Sequence, residues 1–111
     1  MAPMLVSARD TATLEACRAC QEACESCAYD CCASGPDTAE CTRLCLDCAA
    51  ICQACVTLLA RGSAWASRLC QLCADLCDAC AAECERYDMA ECRECARTCR
   101  ACAEQCRAMA A

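Results

Sequence analysis

The chain has 111 residues, enough for one small domain, and 21 of them are cysteine, with two Gly, two Pro, two Tyr, one Trp and no Phe. The formal net charge is −6 and there is no basic block, which argues against nucleic acid and anionic membrane surfaces as partners. No histidine is present, which excludes a His base, a Cys–His pair and any His-ligated metal.

The N-terminal stretch MAPMLVSARDTATLEAC lacks the basic n-region, apolar run and cleavage site of a signal peptide. No run of ~18 apolar residues points to a membrane span. A Met start without a signal favours a cytoplasmic location, where thiols stay reduced, so the cysteines read as ligands rather than disulfides. A secreted disulfide scaffold is the usual reading of a short cysteine-dense chain, but such scaffolds are rich in loops. Here Ala, Leu, Glu, Arg and Gln are plentiful, and these are good helix formers.

The first helix is expected at about 8–33. Ser7 and Asp10 form a capping box at its start, and Cys17, Cys20, Cys24, Cys27 and Cys31 run along it. Gly35-Pro36 ends it, and Asp37 with Glu40 opens a second helix at about 38–61, carrying Cys41, Cys45, Cys48, Cys52 and Cys55. Gly62 suits a helix C-terminus and Ser63 an N-cap. A third helix follows at about 64–86 with Cys70, Cys73, Cys77, Cys80 and Cys84. Asp88 with Glu91 caps a fourth at about 89–109 with Cys92, Cys95, Cys99, Cys102 and Cys106.

In every block the cysteines are spaced alternately three and four apart, the a/d stripe of a heptad. Only Cys32 falls off it. Short connections make neighbours antiparallel. The expected fold is therefore all-α: an antiparallel, up-down-up-down four-helix bundle, one domain spanning 1–111, with a cysteine-lined core. Leu44, Ile51, Leu58, Leu69 and Leu76 flank the stripe, and Ala16, Ala23, Ala28, Ala74, Ala81, Ala96 and Ala103 fill close approaches. Arg93, Arg97, Arg100, Glu104 and Arg107 form a solvated outer face. Leu46 and Leu72 point outward as candidates for an interface between copies.

Stacking the helices gives five layers of four, from Cys17/Cys55/Cys70/Cys106 through Cys20/Cys52/Cys73/Cys102, Cys24/Cys48/Cys77/Cys99 and Cys27/Cys45/Cys80/Cys95 to Cys31/Cys41/Cys84/Cys92. As a plain apolar seam, twenty cysteines without one Leu, Val or Ile would pack poorly, because small side chains leave voids.

Soft thiolates select Cu(I), Zn(II) or iron–sulfur clusters. Zn(II) in four thiolates leaves about −2 per layer and about −10 over five, a buried charge that mid-helix N–H groups cannot offset. A [4Fe–4S] cluster has a similar excess and prefers a C-x2-C-x2-C-x3-C loop, which is absent. Cu(I) is monovalent, accepts two or three sulfurs and allows a thiolate to bridge two ions. One ion per thiolate leaves the interior near neutral and gives a capacity of about twenty. Three alternatives stand beside this: a metallothionein-like Zn(II) or Cd(II) sink of about five ions, a thiol redox protein, and a structural disulfide bundle. Redox chemistry needs an exposed low-pKa thiol, usually at a helix N-terminus, whereas most of these cysteines are mid-helix.

Four helices with inward cysteines at CxxC and CxxxC spacing resemble the bacterial copper storage proteins, over about residues 7 to 109. Without an export signal the chain is similar to their cytosolic branch. The resemblance implies a bundle that holds many Cu(I) ions inside, that commonly forms a homotetramer, and that is not an enzyme.

Beyond the last cysteines, one end of the tube meets Leu14, Leu58, Leu59, Trp65, Ala66 and Met109, and reads as an apolar plug. The other end meets Cys32, Asp37, Thr38, Asp88 and Met89, and reads as the mouth. Met89, Asp88, Cys32 and Asp37 are the candidate entrance ligands, with thiolate exchange carrying copper inward from a donor protein. In the family the corresponding mouth often carries histidine; this sequence has none.

Overall fold

The computed structural model describes residues 8–31 and 36–110, with side chains for 10–30 and 37–109. Ser7, Cys32, Gly35 and the Cys31 side chain, all invoked above, lie outside what is described. Helix α1 spans Ala8–Ser26 and continues as a π-helical turn over Cys27–Cys31. A 3-10 turn, Pro36–Thr38, leads into α2, Ala39–Arg61. Helices α3, Ala66–Cys84, and α4, Ala90–Ala110, complete the bundle.

The helix ends show which sequence signals operate. Gly62 closes α2 at φ 68, a left-handed conformation that costs glycine nothing. The Gly62 and Ser63 N–H groups donate to the carbonyls of Leu59 and Leu58 at 3.1 and 2.9 Å, which is a Schellman motif. The Ser63 hydroxyl accepts from the Trp65 N–H at 3.1 Å, so Ser63 caps the turn ahead of α3 and the regular helix starts at Ala66. Asp37 does not cap α2: Thr38 stands at the N-cap, without a side-chain capping bond. Thr38 is buried because it lies three residues before Cys41 on the stripe, so its side chain is drawn inward.

Each helix packs on its two sequence-adjacent or terminal neighbours: α1 on α2 and α4, α3 on α2 and α4. The diagonal pairs make no Cα approach within 8 Å among the described residues. A square of walls therefore surrounds an axial space. Alanines at 0–6 % exposure (Ala28, Ala49, Ala66, Ala74, Ala81, Ala96, Ala103) allow the walls to approach closely. Leu44, Ile51, Leu58, Leu69 and Leu76 are half-buried against the same core, and each contributes part of the roughly 1.5–3 kcal/mol that full burial of such a side chain supplies.

The arginine face does more than solvate. Arg100 reaches Asp78 at 3.1 Å and Glu85 at 2.9 Å, and Arg107 reaches Asp78 at 2.6 Å. These pairs tie α4 to α3, but they are exposed, and each is worth roughly 0–1 kcal/mol. One expectation needs correction: α2 is long and apolar enough to cross a membrane by length and composition. Its hydropathy comes from cysteine and alanine as well as leucine, and five of its buried residues are the stripe cysteines.

Candidate metal centre

The stripe cysteines with described side chains are all 0 % exposed, and their sulfurs converge on the axial space. Eighteen are free thiols; Cys41 is disulfide-bonded, so it needs reduction before it offers a thiolate. Five clusters of four sulfurs lie within 4.8 Å of one another: Cys17/Cys73/Cys102/Cys106, Cys20/Cys52/Cys77/Cys102, Cys20/Cys24/Cys48/Cys99, Cys24/Cys45/Cys80/Cys95 and Cys27/Cys41/Cys45/Cys84.

These clusters are not the flat layers drawn from sequence. Each takes sulfurs from two adjacent layers, and each shares one cysteine with the next: Cys102, then Cys20, Cys24 and Cys45. The offset lies mainly at α1. Helices α2 and α3 keep the flat register, with Cys45–Cys80 at 3.7 Å, Cys48–Cys77 at 3.6 Å and Cys52–Cys73 at 3.7 Å, whereas α1 sulfurs reach the next layer of α4, with Cys20–Cys99 at 3.6 Å, Cys24–Cys95 at 3.7 Å and Cys27–Cys92 at 3.8 Å. The result is an unbroken ladder. Cys20 is a hub, with Cys99 at 3.6 Å, Cys48 and Cys77 at 3.8 Å, and Cys24 at 4.0 Å. Cys55, Cys70 and Cys92 belong to none of the five clusters, though Cys92 lies 3.8 Å from Cys27.

Crowded thiols titrate together. The Cys84 thiol is drawn down to about 5 because Cys27, Cys45 and Cys80 donate S–H bonds to its thiolate. The Cys24 thiol is pushed up by its bonds to Cys20, Cys45, Cys48 and Cys80 and by burial. The Cys77 thiol is pushed up by Cys102, Cys20, Cys48 and Cys52 and by burial. A few thiolates are thus favoured where thiol donors surround them. A tube full of thiolates needs cations.

At the plugged end, continuing the three–four alternation reaches Thr13, Leu59, Ala66 and Met109. Leu59, Thr13 and Ala66 are 1, 0 and 4 % exposed, Leu14 packs beside them at 8 %, and Met109 is half-buried. Thr13 donates to the Gln105 carbonyl at 3.4 Å. Trp65, expected in this plug, is 64 % exposed; it sits one residue off the stripe, and Arg68 stacks 5.2 Å from its ring centroid. At the mouth, Met89 is half-buried against the core. The Asp88 side chain is turned to solvent and paired with Arg93. Asp37 is exposed. The inward position at the start of α4 is therefore held by Met89. Thr13 and Tyr87 were missed in the sequence, although the same alternation, run one step past Cys17 and Cys84, lands on both.

A closed helical square with a continuous sulfur ladder inside defines a container for soft metal ions. The copper storage protein family model matches residues 6–111, and the chain belongs to that family. Among solved structures, the chain is similar to the Cu(I)-bound copper storage protein BsCsp3 of Bacillus subtilis, at 40% identity and TM-score 0.88, covering 93% of this chain and 99% of that one. It is also similar to a cytosolic copper storage protein from Streptomyces lividans carrying five coppers, at 34% identity and TM-score 0.85 over 92% of each chain. The Streptomyces lividans protein loaded with 10 copper equivalents matches at 32% identity and TM-score 0.87, covering 99% of this chain and 92% of that one. No curated protein matches.

Proposed function

We propose that the chain stores Cu(I) as cargo on the twenty stripe cysteines: Cys17, Cys20, Cys24, Cys27 and Cys31 on α1 and its π turn, Cys41, Cys45, Cys48, Cys52 and Cys55 on α2, Cys70, Cys73, Cys77, Cys80 and Cys84 on α3, and Cys92, Cys95, Cys99, Cys102 and Cys106 on α4. The observation that carries this reading is the sharing of cysteines between successive clusters. Sulfur spacing alone does not choose the metal. A tetrahedral Zn–S bond of about 2.3 Å also places sulfurs about 3.8 Å apart. Charge chooses it. The five clusters draw on sixteen cysteines, so five divalent ions there would leave about −6 uncompensated among fully buried side chains. Monovalent ions, one for each thiolate, bring the interior near neutrality at about twenty in all.

Each ion displaces a thiol proton, so loading releases protons and stabilises the bundle by mass action. Shared cysteines let an ion pass between clusters by exchanging one sulfur at a time. Uptake is assigned to the mouth, where the Met89 thioether offers a soft ligand that needs no deprotonation. The working location is the cytoplasm, where a donor protein would supply Cu(I) and the role is storage rather than turnover. Self-association as a homotetramer, which the family resemblance implies, would engage exposed leucines: Leu72 beside the α2–α3 groove and Leu46 beside the α1–α2 groove.

Titration of Cu(I) into the fully reduced protein against a competing chelator tests the reading. The expected end point is about twenty ions, from one monovalent ion per thiolate. Saturation below about ten would remove the filled-tube arrangement.

A further inference from the structure

We infer that Tyr87 is a latch across the mouth of the tube, a positioning residue that sets how fast ions pass without touching how many are held. The inference rests on uptake at this end. Tyr87 is the next stripe position after Cys84, so the alternation that supplies sulfur along α3 ends in a phenol. Its ring is half-buried against the core. Thr38 on the α2 side and Met89 at the start of α4 occupy the neighbouring positions. Among the described residues, these three side chains stand at the helix ends next beyond the last sulfur cluster, Cys27/Cys41/Cys45/Cys84.

The Tyr87 hydroxyl lies 2.9 Å from the Asp37 carbonyl, 50 residues away in the chain. That bond joins the turn before α2 to the connection between α3 and α4. The same hydroxyl lies 2.8 Å from the Glu83 carboxylate. A phenol has one proton to donate, so the two acceptors compete for it. When the proton faces Asp37, the two connections are tied. When it faces Glu83, the turn at 36–38 loses this bond. Glu83 is a strong competitor because it is charged, and its side chain is only 11% exposed. Arg86 moderates it, donating to both carboxylate oxygens at 3.0 and 3.1 Å. The latch thus has two arrangements of comparable hydrogen bonding, which a mouth that must both admit and retain ions requires.

Two substitutions push in opposite directions. Tyr87→Phe keeps the ring and removes the tie. Loading and chelator-driven release of Cu(I) should both speed up about fivefold, the weight of one ordinary hydrogen bond, with the saturating number of ions unchanged. Glu83→Gln replaces the charged competitor with a weaker acceptor, so the Tyr87 hydroxyl keeps donating to the Asp37 carbonyl and both rates should fall. In the metal-free protein, Tyr87→Phe should quicken amide hydrogen exchange over residues 37–42. Unchanged exchange there overturns the latch. Faster exchange with unchanged copper rates overturns its gating role. Met89→Ala, measured in parallel, separates the two readings: if it slows loading while Tyr87→Phe does not alter it, uptake at this mouth stands and the latch falls. If neither variant alters the rate, both fall.

Discussion

Replacing Cys20 by serine tests whether shared sulfurs govern capacity. A serine hydroxyl stays protonated at neutral pH and is a hard donor, so the substitution removes one thiolate charge and one soft ligand. Charge balance alone costs about one ion, because retaining it would bury an unpaired positive charge at several kcal/mol, or more than about a hundredfold in affinity. Cys20 belongs to two clusters and has four sulfurs within 4.0 Å. A second ion therefore loses a bridging ligand, and the expected deficit is about two ions. Cys70→Ser is the control, since Cys70 lies in none of the five clusters and should forfeit only about one ion by the charge argument. The assay is Cu(I) titration under reducing, oxygen-free conditions against a chromogenic chelator. Both single variants titrating like the unsubstituted protein would refute the charge argument; equal deficits for the two would refute the sharing argument.

Met89→Ala should slow Cu(I) transfer from a donor several-fold and leave the saturating number of ions alone, as stopped-flow loading would show; an unchanged rate removes Met89 from the entrance. Leu59→Ala empties the centre of the plug and should cost the metal-free protein about 2–5 kcal/mol, read by chemical denaturation; a loss under about 1 kcal/mol would mean that the plug collapses to fill the space. The pH dependence of the metal-free bundle has a defined sign. Cys24 and Cys77 are raised above their ordinary 9.0, so their contribution to stability is present below that value and is lost as pH climbs past it. Melting temperature should fall above pH 9 in the metal-free protein, and copper should suppress the fall; a metal-free melting temperature that is flat across this range contradicts the buried-thiol arrangement.

The four helices were legible because a three–four alternation repeated over five cysteines fixes both the helical period and the buried face. Gly62 was legible because only one backbone conformation suits it there. The interlocking of clusters was not, because it depends on the axial offset of α1 against α4, which residue spacing does not contain. Asp88 occupies the stripe position by count, but ion pairing with Arg93 keeps it in water and Met89 turns inward instead. Trp65 misled for a related reason: apolar character suggested the plug, whereas its phase put it outside and beside Arg68. Thr13 and Tyr87 were hidden by chemistry rather than geometry, since neither looks like a continuation of a sulfur stripe.

Because each cluster lends a sulfur to the next, no ion in the tube has a site wholly its own. A partly filled molecule then resembles a solid with vacancies rather than a rack of separate compartments. Its defects can migrate: a gap created at the mouth can be handed down the ladder to Cys17 while every ion moves only one rung. The state of such a store is described by how full it is, not by which positions are occupied, and an ion delivered from the mouth need not be the one that last arrived there.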